Sequence, residues 1–198
     1  MALTANKFIL PNGTPTIDNR QATQSSSYGD TDLDRAVAGV GWANYVDSVY
    51  TSGSPLELRV GNSYAANVAI NGTTSTIVSQ WPAGVTEPWD TSTNKLIATN
   101  DGDSFDFRLR MTAQGGASPV QLTVAIDIGG TQGVIFRKTE NIAKGATTET
   151  DVTISSDYFT GSTFITNGGT ITVSTADGTD DLDLWGFQIL LFRKFVGR

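Results

Sequence analysis

The sequence predicts an all-β protein, a jelly-roll-like antiparallel β-sandwich over residues 55–198 preceded by an extended N-terminal arm over residues 1–54. Three observations carry that expectation. Apolar residues recur at every second position: Phe105, Phe107, Leu109 and Met111 alternate with Asp106, Arg108 and Arg110, the pattern of a strand with one wet face. Turn clusters punctuate the chain at Asn71-Gly72, Asn100-Asp101-Gly102-Asp103, Gly129-Gly130 and Asn167-Gly168-Gly169. Composition agrees, since 21 glycines, abundant Ser and Thr and only 17% charged residues favour turns and strands over helices.

Taken in order, the arm opens with an apolar hook, Phe8-Ile9-Leu10-Pro11, followed by the turn-forming Asn12-Gly13. Residues 21–27 are polar and featureless, and Asp30 to Trp42 suits one short helical turn capped by Asp30 or Thr31. No period-2 run appears before Val46. An arm ordered against neighbouring subunits explains the spaced anchors Phe8, Ile9, Leu10, Leu33 and Trp42. The alternative is an N-terminus lying on its own domain.

From Pro55 onward the pattern is β throughout. Residues 56–60 alternate, and residues 64–70 and 73–79 flank Asn71-Gly72 as an expected hairpin. Trp81 to Trp89 is a Pro- and Gly-containing loop, because prolines are excluded from a central strand. Its two tryptophans, Trp81 and Trp89, stand as possible ligand-stacking groups or as core plugs. Strands follow at 96–99, 105–111, 120–128 and 134–136, then around Val152-Ile154, Phe164-Ile165 and Ile171-Val173. Roughly eight to ten strands at such spacing fit a sandwich or jelly roll.

The last strand departs from alternation. Leu182, Leu184, Leu190, Phe192 and Val196 share one parity; Trp185, Phe187, Ile189, Leu191 and Phe195 share the other. A strand wetted on one side is apolar on one parity only. The second set, Trp185 to Phe195, is therefore expected to be covered, either by a second layer of the chain itself or by another subunit, and another subunit is the expectation.

Absences narrow the chemistry. The chain has no cysteine and no histidine, which removes thiolate catalysis, sulfur-bound metals and the commonest general base. Thirteen Lys plus Arg against twenty Asp plus Glu give a net charge of −7, which disfavours nucleic acid and anionic membranes as partners. The tight basic groups are Arg137-Lys138 and the terminal Arg193, Lys194 and Arg198, expected as a docking or solubilising tip. No apolar run reaches membrane-spanning length, and the first residues lack the regions of a secretory signal.

Asp30/Asp32/Asp34, Asp101/Asp103 and Asp177/Asp180/Asp181/Asp183 have calcium-like spacing, though solvated turns explain them as well. Ala125-Ile126-Asp127-Ile128-Gly129-Gly130-Thr131 resembles the first phosphate motif of actin-like sugar kinases. It lacks the helix that such a motif opens, so a strand ending in a Gly-Gly turn is the expected structure. No cofactor, metal or catalytic residue is expected.

The layout as a whole, an extended, low-charge arm, a Thr/Gly/Ser-rich sandwich and a doubly apolar last strand, resembles the jelly-roll structural proteins of tailed bacteriophage virions. These are head decoration or cement proteins, or the knobs of tails and fibres. The resemblance implies a non-enzymatic homotrimer on the outer surface of a virion, partnered by itself and by the major capsid protein or another virion protein. A tail or fibre module binding a receptor or carbohydrate through Trp81 and Trp89 is the alternative.

Overall fold

The computed structural model describes residues 7–9, 15–18, 40–60, 63–71, 73–81, 85–145, 147–176 and 181–195. The chain divides into a unit of residues 1–39 and a unit of residues 40–198. In the first, β1 (Lys7–Ile9) pairs antiparallel with β2 (Pro15–Asp18), Phe8 opposite Ile17. Phe8 and Ile9 therefore sit on a strand; Leu10 and Leu33 lie outside the described residues, as does the helical turn expected after Asp30.

The second unit is an antiparallel sandwich of two sheets. Its elements are β3 (Gly41–Asp47), β4 (Leu56–Glu57), β5 (Arg59–Val60), β6 (Ser63–Tyr64), β7 (Val68–Ala69) and β8 (Thr73–Ile77). There follow β9 (Trp89–Asp90), β10 (Lys95–Leu96), β11 (Ser104–Gly115), β12 (Val120–Asp127), β13 (Val134–Ile142) and β14 (Glu149–Phe159). A short helix α1 (Ser162–Asn167), then β15 (Gly169–Thr175) and β16 (Leu182–Phe195), complete it. One sheet runs β14-β11-β16-β3-β8 with β4 also on β16; the other runs β13-β12-β15-β10-β9 with β7 also on β15. First and last strands of the unit are thus neighbours, and β11–β16 and β12–β15 are crossovers between sequence-distant strands.

The core is the pair of inward faces. Phe105, Phe107, Leu109, Met111 and Ala113 of β11 face Leu122, Val124 and Ile126 of β12 and Ile171 and Val173 of β15, all essentially without exposure. The alternation expected for β11 and β12 is thereby present in the burial of successive residues.

Four expectations change. Trp42 lies in β3, a strand inside the sheet with Ala43 and Tyr45 buried, so residues 41–54 belong to the sandwich and not to an arm. The strands flanking Asn71-Gly72 form no hairpin: β7 pairs with β15 and β8 with β3, so the connection crosses between sheets. Phe164-Ile165 is helical, bounded by Gly161 and by Gly168 at φ 70°, whose amide donates to the Phe164 carbonyl. Such a left-handed glycine ends a helix in one residue.

The largest correction concerns β16. Leu182 and Leu184 are buried, and so are Phe187, Ile189 and Leu191. The parity switches at Gly186, which has φ 63°. Thr112 opposes Trp185 while Arg110 opposes Gln188, so one residue of β11 faces two of β16. This is a β-bulge with glycine in the left-handed region, where L side chains are strained. Phe187, Ile189 and Leu191 fill the chain's own core and are not a subunit interface. Both parities are apolar because the strand changes face at Gly186; a second register shift follows between Arg193 and Phe195.

Candidate functional site

With the core assigned, the two outer faces can be compared, and they differ in chemistry. Outward from β12 and β15 stand Gln121, Thr123, Asp127, Thr170, Thr172 and Ser174. Thr123 and Thr139 exchange a hydroxyl hydrogen bond at 2.9 Å on this face. It is a wet surface in the ordinary sense.

The other sheet turns a mixed face outward. The bulge sends Leu190 and Phe192 to the outside, where Leu190 opposes Asn44 and Phe192 opposes Trp42. Asn44 in turn opposes Ile77, which is 48% exposed, and Val46 opposes Gln188. Trp42, Val46, Leu190 and Phe192 are half-buried. Together they form an apolar stripe along β3 and β16. Trp185, half-buried and opposite Thr112, continues it. At the far edge of the same face, Phe159 of β14 is 71% exposed. Aromatic residues at this density on an outward face are a feature of protein interfaces.

Between stripe and edge, charges are matched in pairs. Arg108 sits 5.3 Å from the centroid of Phe192 and 3.2 Å from Asp106. Arg110 contacts Asp151 at 3.3 Å, and Lys194 contacts Asp157 at 2.6 Å. These pairs are exposed, so each contributes little to stability. They neutralise this part of the face; toward its other end Asp183 and Glu57 stand directly opposite one another and add negative charge.

Of the residues expected at the subunit interface, Trp185 alone has a described side chain on the outward face; the side chain of Phe195 lies outside the description. Leu190 and Phe192, assigned to the opposite parity by simple alternation, are the residues that reasoning missed. The available signal was Gly186, because an isolated glycine within a strand pattern marks a bulge.

The tryptophan loop presents no ligand platform. Trp81 and Trp89 are 9% and 2% exposed. Trp81 stacks on Phe105 at 6.4 Å, Phe105 on Tyr158 at 5.2 Å, and Tyr158 on Phe164 at 5.4 Å, so four aromatic rings cross the sandwich interior. The Trp81 indole N–H donates to the Thr86 carbonyl at 3.1 Å, and Trp89 lies against Tyr45.

Arg193 is likewise not part of an exposed basic tip. It projects inward and forms a 2.7 Å ion pair with Asp103, both side chains 2% exposed. Asp103 is therefore buried rather than a solvated turn carboxylate. Burial pushes the Tyr158 phenol well above its usual range, with the Asp103 charge adding to the effect. The Tyr45 hydroxyl donates to Glu87 at 3.2 Å; burial first, then the Glu87 charge, push that phenol up as well.

The Asp127-Ile128-Gly129-Gly130-Thr131 segment is a β12–β13 turn. Gly129, Gly130 and Gly133 have φ of 68°, 62° and 58°, and the Gly133 amide donates to the Gly129 carbonyl. β13 returns antiparallel beside β12, so the motif opens no helix; α1 meets the turn with its C-terminal residue Asn167 instead. Among the described residues no group of three or more His, Cys, Asp or Glu side chains is placed to hold a metal. Asp30, Asp32, Asp34, Asp177 and Asp180 lie outside them.

No family model matches the sequence, and no curated protein sequence matches it. Among solved structures the chain is similar to the TNF Eiger of S. frugiperda, at 10% identity and TM-score 0.48, over 81% of this chain and 95% of that one. It is similar to the globular domain of zebrafish complement 1qA at 7% identity and TM-score 0.45, over 80% and 99% of the two chains. A third likeness is to the CBM22-1–GH10 modules of the Clostridium thermocellum xylanase 10B, at 14% identity and TM-score 0.33, over 80% of this chain and 27% of that one. Identities this low carry no function from one chain to another.

Proposed function

We propose that this chain is a non-enzymatic structural module that works as a homotrimer, its subunits meeting through the Trp42–Phe192 face. The observation that carries this is the contrast between the two outer faces. One is polar along β12 and β15, with Val134 exposed at its β13 edge, while the other combines a longer, aromatic apolar stripe with charge pairs matched beside it. A second copy suits the stripe, because it buries aromatic area beside charges that already have partners within the chain. Stable oligomer interfaces commonly exceed about 2,000 Å² in total, which favours use of much of the outer face of this six-stranded sheet.

The finer reading is an outer component of a tailed-phage virion, of decoration or cement type, bound to the major capsid protein. The net charge of −7 supports an external position, away from packaged nucleic acid. Each bound oligomer would add interface free energy to the shell, stabilising it by mass action. The alternative of a glycan-binding tip built on Trp81 and Trp89 loses its motive, since both rings are buried.

The experiment is to add the purified chain to phage heads stripped of their outer proteins, then to sediment and heat them. Saturable co-sedimentation with a raised disruption temperature is expected. Heads that neither bind the chain nor gain heat resistance would refute the virion reading while leaving self-association to be measured separately.

A further inference from the structure

The polar sheet carries a cleft that the subunit interface does not use. Its volume is about 510 Å³, and it opens where β12 ends, beside the α1–β15 junction. Three of its groups are tied together. Asp127 Oδ1 accepts the Gly129 amide proton at 2.7 Å, Asn167 Nδ2 donates to the Ile128 carbonyl at 2.8 Å, and Lys95 Nζ donates to the Asn167 carbonyl at 3.1 Å. Turn, helix end and β10 are thus braced against one another.

What remains available is informative. Among the described residues Asp127 Oδ2 has no partner, nor have the hydroxyls of Thr170 and Thr172, which line the same cleft. Thr170 opposes both Asp127 and Lys95 across the sheet. Lys95 has donors left beyond its single bond, and the Asn167 side-chain oxygen remains an acceptor. The wall at Gly129 has no Cβ, and a built one would stand 3.7 Å from Asn167 Nδ2, narrowing the opening.

One carboxylate and one ammonium make the cleft charge-balanced, and the two hydroxyls both donate and accept. A phosphate or nucleotide would meet the Asp127 charge with one lysine to offset it. A ligand offering adjacent hydroxyl groups matches both halves of the set, since each hydroxyl donates to a carboxylate and accepts from an ammonium. We propose that this cleft binds a neutral saccharide, with a vicinal diol held between Asp127 and Lys95 and further contacts from Thr170 and Thr172. The cleft lies on the sheet opposite the proposed subunit interface and stays open in the assembly. The motif that resembles a kinase phosphate turn is, on this account, one wall of a sugar site.

The test is NMR titration of the full-length chain with D-glucose, D-galactose, D-mannose, N-acetyl-D-glucosamine, maltose and cellobiose, and with neutral cell-wall polysaccharide to separate free sugar from glycan. At least one is expected to give saturable shifts at the amides of Gly129, Gly130, Gly168 and Thr170. Asp127→Asn should weaken binding about tenfold or more, a loss of about 1.4 kcal/mol, while its amide oxygen still accepts from Gly129 and keeps the turn folded. Thr172→Val should weaken it less. Absence of saturable shifts with every probe, or equal affinity in Asp127→Asn, would overturn the site. Tighter binding of glucuronate or inorganic phosphate than of any neutral sugar would overturn the ligand class. A substitution at Phe192 that dissociates the oligomer should leave the titration unchanged, so this proposal and the interface fail or stand separately.

Discussion

Trp185 and Phe187 are two residues apart on one strand yet face opposite sides of the sheet, because Gly186 between them has φ 63° and inserts a bulge. In a regular strand they would share a face. The bulge lets β16 fill the core with Leu182 and Leu184, then with Phe187, Ile189 and Leu191, while turning Leu190 and Phe192 outward.

Gly186→Ala is expected to destabilise the sandwich by about 1–2 kcal/mol, the cost of a left-handed L residue. No atom lies within 4 Å of a Cβ built at this position, so the cost is conformational and not steric. Urea denaturation compared with Gly53→Ala, at an exposed glycine outside the left-handed region, would measure it. An unchanged midpoint would show that the bulge relaxes without penalty.

Breaking the Asp103–Arg193 pair by Asp103→Ala should cost about 3–5 kcal/mol, because it strands a buried guanidinium. The double change Asp103→Leu with Arg193→Met should recover most of that loss. Chemical denaturation of the three proteins checks both statements. A double variant as unstable as the single one would mean that the pair contributes through other partners.

Asp183 stands directly opposite Glu57 and near Asp181; burial first, then these two charges, raise its pKa above the usual value. A carboxyl raised in the fold is disfavoured when charged, so the cost exists above its folded pKa and disappears as pH falls through it. Asp183→Asn should therefore stabilise at pH 7 by about 0.5 kcal/mol, the scale of a like-charge cross-strand pair. The gain should vanish at a pH below about 4, near the ordinary Asp value. Melting temperatures across this range decide it, and a gain that persists in acid would contradict the cause given.

Titration with ATP and magnesium should release no heat of binding, since the Asp127 turn leads into a returning strand and not a helix. Saturable micromolar binding lost in Asp127→Ala would overturn that reading of the motif.

Where local pattern alone sets structure, the sequence was readable. Phe105 to Met111 alternate and are buried in alternation, and the Gly129-Gly130 turn ends its strand as its letters imply. What the letters hid depends on partners far along the chain. Arg193 reads as a surface cation until Asp103, 90 residues away, is seen beside it. Asn71-Gly72 carries a hairpin signature, yet β7 and β8 find better partners in opposite sheets. Six residues of α1 are too few for a helical period to show against a Phe-Ile pair. The apolar stripe was obscured by one glycine, whose φ sets the parity of the residues from Phe187 to Arg193.

The central claim is that the outward face of β3 and β16 joins copies of the chain, and native mass spectrometry at micromolar concentration tests it most directly. The wild-type chain should appear as a trimer, and Phe192→Asp as a folded monomer with a melting temperature close to that of a wild-type chain diluted to its monomer. Phe187→Asp, which charges the core, should instead unfold. A wild-type monomer at that concentration, or a Phe192→Asp protein that remains trimeric, would contradict the account.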